Sequence, residues 1–205
     1  MSAVWHGVPR DMIGETLFPL SQLRDVDEEL YEAQRAKYAG REQVLDYRVA
    51  LLDCGFLETI HCSSVHPHWI YRARRDAGFE VPARFETGWG VGFAFEIPLE
   101  RIVVNPTAWY AWRTPWVNGY PGEDDVPAAP PSEEFEIFDP VRYSPLADVP
   151  ELHRTYLARM SQRKRRPLTF VHIPHVLVAG PIDVRGCRIV RWEDPPQAGA
   201  AWNGE

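Results

Sequence analysis

The spacing of apolar residues changes period several times along this chain, and each change marks an element. The opening AVWHGV is short and apolar and reads as an edge strand. DMIGETLFPLSQL, residues 11–23, keeps no period and reads as turn and irregular structure. A helix is expected from about Asp25 to Tyr38. Asp25 with Glu28 three positions on makes a capping-box pattern, Val26, Leu30 and Ala33 supply the buried side, and Gly40 supplies the stop. QVLDYRVALLD (43–53) and FLETIHCSS (56–64) alternate and read as strands. Pro67 opens a second helix that runs to about Ala77 and stops at Gly78, with Ile70, Ala73 and Ala77 inward and Arg72, Arg74 and Arg75 outward. VGFAFEIPLERIVV (91–104) reads as two strands broken at Pro98. Residues 105–134 read as one long loop rich in Pro, Gly and aromatic residues, of the kind that is often functional. Asp148 and Glu151 cap a helix over about Val149 to Gln162, and LTFVH, HVLVA and CRIVRW close the chain as three strands.

Helices do not alternate regularly with strands in this order, which excludes a doubly wound parallel sheet. The pattern predicts one mixed α+β domain over residues 1–193 with about three helices. The last dozen residues read as a disordered tail.

Composition narrows the function. The chain has 205 residues, 45% hydrophobic and 25% charged, which is ordinary for a globular domain. A net charge of -7 argues against non-specific coating of duplex nucleic acid. No apolar run reaches the roughly 18 residues a membrane helix needs, and three scattered cysteines fit a reduced compartment, so a cytoplasmic protein with no membrane partner is expected. The 8 tryptophans imply a thick core or an aromatic-lined pocket.

Three of the 7 histidines fall within HCSSVHPH, residues 61–68. His66 and His68 flank Pro67 and diverge, and neither has the i, i+4 partner that a helical zinc site uses, so no metal ligand is assigned. His66 or His68 capping the following helix at the solvent side is the simpler reading. His61 and Ser63, two apart on a strand, share a face and are expected to line a pocket, whereas Cys62 points the other way and reads as a small buried hydrophobe. No nucleophile elbow and no phosphate-cradling glycine motif occurs. The basic run RMSQRKRRP (159–167) ends a helix, where positive charge is favourable in itself.

WHG at 5–7, GETLFPL at 14–20, LETIHCSSVHPHWI at 57–70 and HVLVAGPIDVRGCRIV at 175–190 together carry a resemblance. The chain resembles a functionally unassigned bacterial family of similar length and, more remotely, the DarT-like branch of ADP-ribosyltransferases. That resemblance implies a split-sheet ADP-ribosyltransferase fold, with a central, largely antiparallel sheet, and NAD as the substrate. His6 would hold the nicotinamide ribose, with His61 and His175 as further catalytic residues. His175 stands where that branch carries a glutamate, so a carboxylate such as Glu58 or Glu96 would have to supply the missing charge. Gly7 and Ser63 would bind the cofactor, and Arg41, Arg48 or Arg84 would face its pyrophosphate. The implied activity is ADP-ribosyl transfer or NAD cleavage, toxin-like or directed at a nucleic-acid acceptor. The alternatives are a non-catalytic nucleotide-binding module of the same fold, and a metal-dependent hydrolase built on the histidines.

Overall fold

The structure is a computed structural model. It describes residues 2–9, 11–39, 42–80, 92–113 and 130–196. Eleven strands and four α-helices are described. The strands are β1 Ala3–Gly7, β2 Thr16–Leu17, β3 Arg48–Val49, β4 Cys54–Gly55, β5 Thr59–Ser63, β6 Phe93–Pro98, β7 Thr107–Tyr110, β8 Phe135–Ile137, β9 His175–Ala179, β10 Ile182–Asp183 and β11 Arg188–Arg191. The helices are α1 Leu20–Val26, α2 Glu28–Arg35, α3 Pro67–Asp76 and α4 Glu151–Gln162. This is a mixed α+β chain around one seven-stranded sheet of order β11-β6-β1-β5-β9-β7-β8, antiparallel at every pairing. β2–β10 and β3–β4 form two small ribbons beside it. Among the described residues no helix is long and apolar enough to cross a membrane.

The sheet is buried on both faces. Val4, Cys62, Ile97, Val176 and Val178 pack on one side, under Leu17 and Ile182 of the β2–β10 ribbon. Ala108, Tyr110 and Leu177 pack on the other, under Ile70 of α3 and Tyr156, Leu157 and Met160 of α4. The ladder is uneven. β5 pairs with β9 along its whole length from Thr59 to Ser63, but β1 meets β5 at a single register pair, Trp5 with Ser63. Beyond that pair the middle of the sheet opens.

Several expectations need correction. AVWHG is an internal strand between β6 and β5, because both of its edges are used. The first helix begins earlier than expected, at Leu20, and breaks at Asp27, whose extended backbone lets its side chain accept from the Leu30 amide at 2.9 Å and cap α2. Val26 is therefore 46% exposed, and Tyr31 is the buried residue. Residues 43–53 form a 3₁₀ turn and the β3–β4 ribbon: Val44 and Tyr47 are buried three apart, as a 3₁₀ turn requires. After Pro98 the chain turns 3₁₀ and no second strand follows. LTFVH makes no ladder. Leu168, Phe170 and Val171 all pack on the core under α4, and two of the segment's backbone bonds go to side chains of α4: the Leu168 amide donates to the Tyr156 hydroxyl, and the Val171 carbonyl accepts from His153 Nδ1 at 2.6 Å. The expected loop 105–134 contains β7, an internal strand next to the edge of the sheet, and residues 114–129 lie outside the described residues. So do residues 197–205 of the expected tail. α4 starts at Glu151 behind Pro150, while Asp148 accepts from the Val149 amide and pairs with Arg154. Arg74 is buried on α3, with Nη1 toward the Pro167 carbonyl.

Candidate functional site: an aromatic cleft at the opening of the sheet

Pleat geometry sets a puzzle that the opening resolves. Trp5 and Ser63 are register partners, so they share a face, and His61 shares it by alternation. His175 is the register partner of Ser63 and also lies on that face. His6, next to Trp5, belongs to the opposite face. His6, His61 and His175 nonetheless line one cavity of about 330 Å³. They reach it because β1 and β5 part beyond Trp5, so the cavity is bounded by strand edges and not by a single face.

Rings dominate the walls. Phe56 from the turn before β5 meets His61 edge-to-face with centroids 4.2 Å apart and Tyr110 of β7 at 6.0 Å. Tyr110 stacks on Trp112 at 5.2 Å with 23° between the planes. Phe170 meets His175 at 5.6 Å, and the rings of His61 and His175 are 6.1 Å apart. Offset and T-shaped contacts of this kind hold the rings against one another. Tyr110, Trp112 and Phe56 escaped the sequence reading. The run WYAWRTPW was the available signal, although nothing in its spacing separates wall from core.

The wall is held from behind. Trp112 and His172 both carry left-handed backbones, with φ of 48° and 59°, unusual for side chains of this size. Glu134, 3% exposed, accepts from the Arg113 amide at 2.7 Å, and its own carbonyl accepts from the Ala111 amide at 2.9 Å. The His172 ring hydrogen-bonds the Trp112 backbone. Segment 111–113 is thus clamped from two sides, which fixes the Trp112 ring against Tyr110. The opposite wall, Leu168 to Val171, is tied down by Tyr156 and His153 of α4.

The electrostatics are those of a neutral, water-poor slot. Burial is the leading cause in each histidine: it lowers the pKa of His6 and His61 to about 4 and of His175 to about 3. The hydrogen bond to Gly7 in His6, that to Phe56 in His61 and that to Ile173 in His175 offset it only in part. All three rings are uncharged near pH 7. No Asp, Glu, Lys or Arg stands among the described residues of this cavity. A second cavity of about 220 Å³, mostly aliphatic, shares His6, Phe18, Leu20 and Tyr38 with the first and adds Asp11.

The remaining expected residues lie elsewhere. The Ser63 hydroxyl closes a turn, donating to the Val65 carbonyl and accepting from its amide, and Ser63 does not line the cavity. Gly7 sits beside it in β1, its carbonyl accepting from His6 Nδ1 at 2.7 Å. Arg48 is on the β3–β4 ribbon with its side chain exposed and bonded to Asp53. Arg41 and Arg84 fall outside the described residues. Glu58 accepts from the Gly55 amide, and Glu96 pairs with Arg188 at 3.3 Å, so neither stands opposite His175. His66 caps α3 by accepting from the His68 amide at 3.1 Å, and is buried against Trp5 where a solvent-facing cap was expected. Among the described residues no group of three His, Cys, Asp or Glu side chains is placed to hold a metal ion.

Comparisons with protein-family models, with curated proteins and with solved structures give no match.

Proposed function

We propose that the protein is a nucleotide-binding domain of the ADP-ribosyltransferase type, and that its cleft takes the nicotinamide end of NAD. The carrying observation is the opening of the sheet beyond Trp5–Ser63, with His6 at its lip and stacked rings inside. A planar ring entering there gains stacking and leaves water at once.

Binding without turnover is the better-supported form. Cleaving the glycosidic bond needs negative charge beside a developing oxocarbenium ion. Among the described residues lining the cleft none carries it, and neutral His175 can bond a hydroxyl but adds no charge. The nucleic-acid acceptor and the toxin-like role belong to the transferase form alone. Titration calorimetry with NAD, followed by chromatography of the recovered ligand, tests this. Saturable binding, lost in His6→Ala, with NAD recovered intact, is the expected result. Nicotinamide release in the presence of nucleic-acid and protein acceptors would replace it with the transferase form. No heat of binding at millimolar NAD would sink both.

A further inference from the structure

The cleft has a hydrogen-bonding sense as well as a shape. Nδ1 of His6 lies 2.7 Å from the Gly7 carbonyl. A carbonyl only accepts, so Nδ1 carries the ring proton and Nε2 keeps a lone pair. Nε2 of His61 lies 3.1 Å from the Phe56 carbonyl. The same nitrogen lies 3.0 Å from the Thr59 hydroxyl, whose own proton goes to the Phe56 carbonyl at 2.7 Å, so Nε2 donates to both oxygens and the lone pair is on Nδ1. Neither lone-pair nitrogen is among the buried, unpartnered atoms; the His61 ring lines this cavity, and the His6 ring lines both this cavity and the smaller one beside it. Thr59, also in the lining, gives its hydroxyl proton to the Phe56 carbonyl at 2.7 Å and accepts from His61 Nε2 at 3.0 Å, so it holds the His61 ring in place. The Tyr110 hydroxyl can turn to serve either sense.

We infer that the cleft selects its ligand by a hydrogen-bond-donating edge: it takes a flat heterocycle bearing an amino or amide NH2 group and rejects the same ring bearing a carboxylate. This rests on the reading of the cleft as a nucleotide site and names what that site discriminates. An NH2 group satisfies acceptors already held in place by the backbone. A carboxylate sets its oxygens against imidazole lone pairs, with no cation among the described lining residues to compensate. A site built to bond one polar group rejects the analogue that lacks it more sharply than an apolar slot rejects a missing methylene.

Titration of the full chain with four probes tests this: nicotinamide, nicotinate, NAD and the NAD analogue whose carboxamide is a carboxylate. Each amide should bind at least about tenfold tighter than its acid. His61→Phe keeps a ring against Phe56 and removes one acceptor; with folding checked by circular dichroism, it should narrow that ratio. If the variant does not fold, the wild-type ratios decide alone. Equal affinity for NAD and its acid analogue overturns the inference and leaves the nucleotide reading standing. Preference for nicotinamide over nicotinate with no dinucleotide binding does the reverse. Binding of neither amide at millimolar concentration overturns the inference.

Discussion

Six of the seven histidines divide into two regions that burial affects alike and that differ in purpose. His66, His153 and His172 lie in the scaffold, and His6, His61 and His175 lie in the cleft. Burial lowers the first three to about 4, the same range as the cleft group. The difference is in where the nitrogens point. The scaffold rings bond backbone from other parts of the chain or cap a helix: His153 reaches from α4 to Val171, His172 reaches the Trp112 backbone, and His66 caps α3. His6 and His61 bond backbone within five residues of themselves, keep a lone pair and line the cavity. A perturbed pKa therefore marks burial here, and only the partner list separates a strut from a ligand-facing group.

The largest effect that could break this distinction is acid. The folded pKa of each of these six groups lies below its unfolded value near 6.5, so folding favours the neutral ring. The stability they contribute is fully present above pH 6.5 and is lost as pH falls toward 4. For the deeply buried His153 and His175 together the loss is on the order of several kcal/mol, a large part of a domain's stability. Unfolding between pH 6 and about 4, followed by tryptophan fluorescence, is expected in wild type, with or without ligand. A protein still folded at pH 3 would mean that the rings relax into water and that neither region is sealed.

The next effect separates the two groups. His153→Ala removes a side chain with 0% exposure and leaves the Val171 carbonyl without its donor. It should cost about 3 kcal/mol in urea denaturation, from the cavity and the orphaned carbonyl together. His61→Phe keeps the ring volume against Phe56, and should cost about 1 kcal/mol or less while narrowing the ligand preference. Equal stability losses in the two variants would put His61 with the struts.

The sequence showed the β5–α3 passage well. Alternation from Thr59 to Ser63, Pro67 in the first turn and Gly78 at φ 83° past the end each act locally, without help from distant chain. β7 was hidden because TAWY becomes a strand only between β8 and β9, both far along the chain. LTFVH misled because a run of apolar residues packed on the core reads like a strand even where α4 side chains take the backbone bonds. The cleft was half legible. His6 could be named from WHG and His61 from its strand, but their meeting depends on β1 and β5 parting after one register pair, which no residue spacing records. The aromatic count implied an aromatic-lined pocket without saying which rings would form it.

The smallest expected effect sharpens the boundary of the site. Arg48 was expected beside a pyrophosphate, yet it sits on the β3–β4 ribbon with its side chain 63% exposed and paired to a wholly exposed Asp53. Such a pair is screened by water and salt. Arg48→Ala should leave the urea midpoint and the affinity for the amide probes unchanged. Its one informative failure would be a loss of affinity for NAD with none for nicotinamide. The phosphates would then run from the cleft toward the ribbon, and the cation absent from the described cleft lining would be found at its rim. Titrating both ligands against the variant in low and high salt distinguishes the two, because a phosphate contact weakens with salt and the neutral ring contact does not.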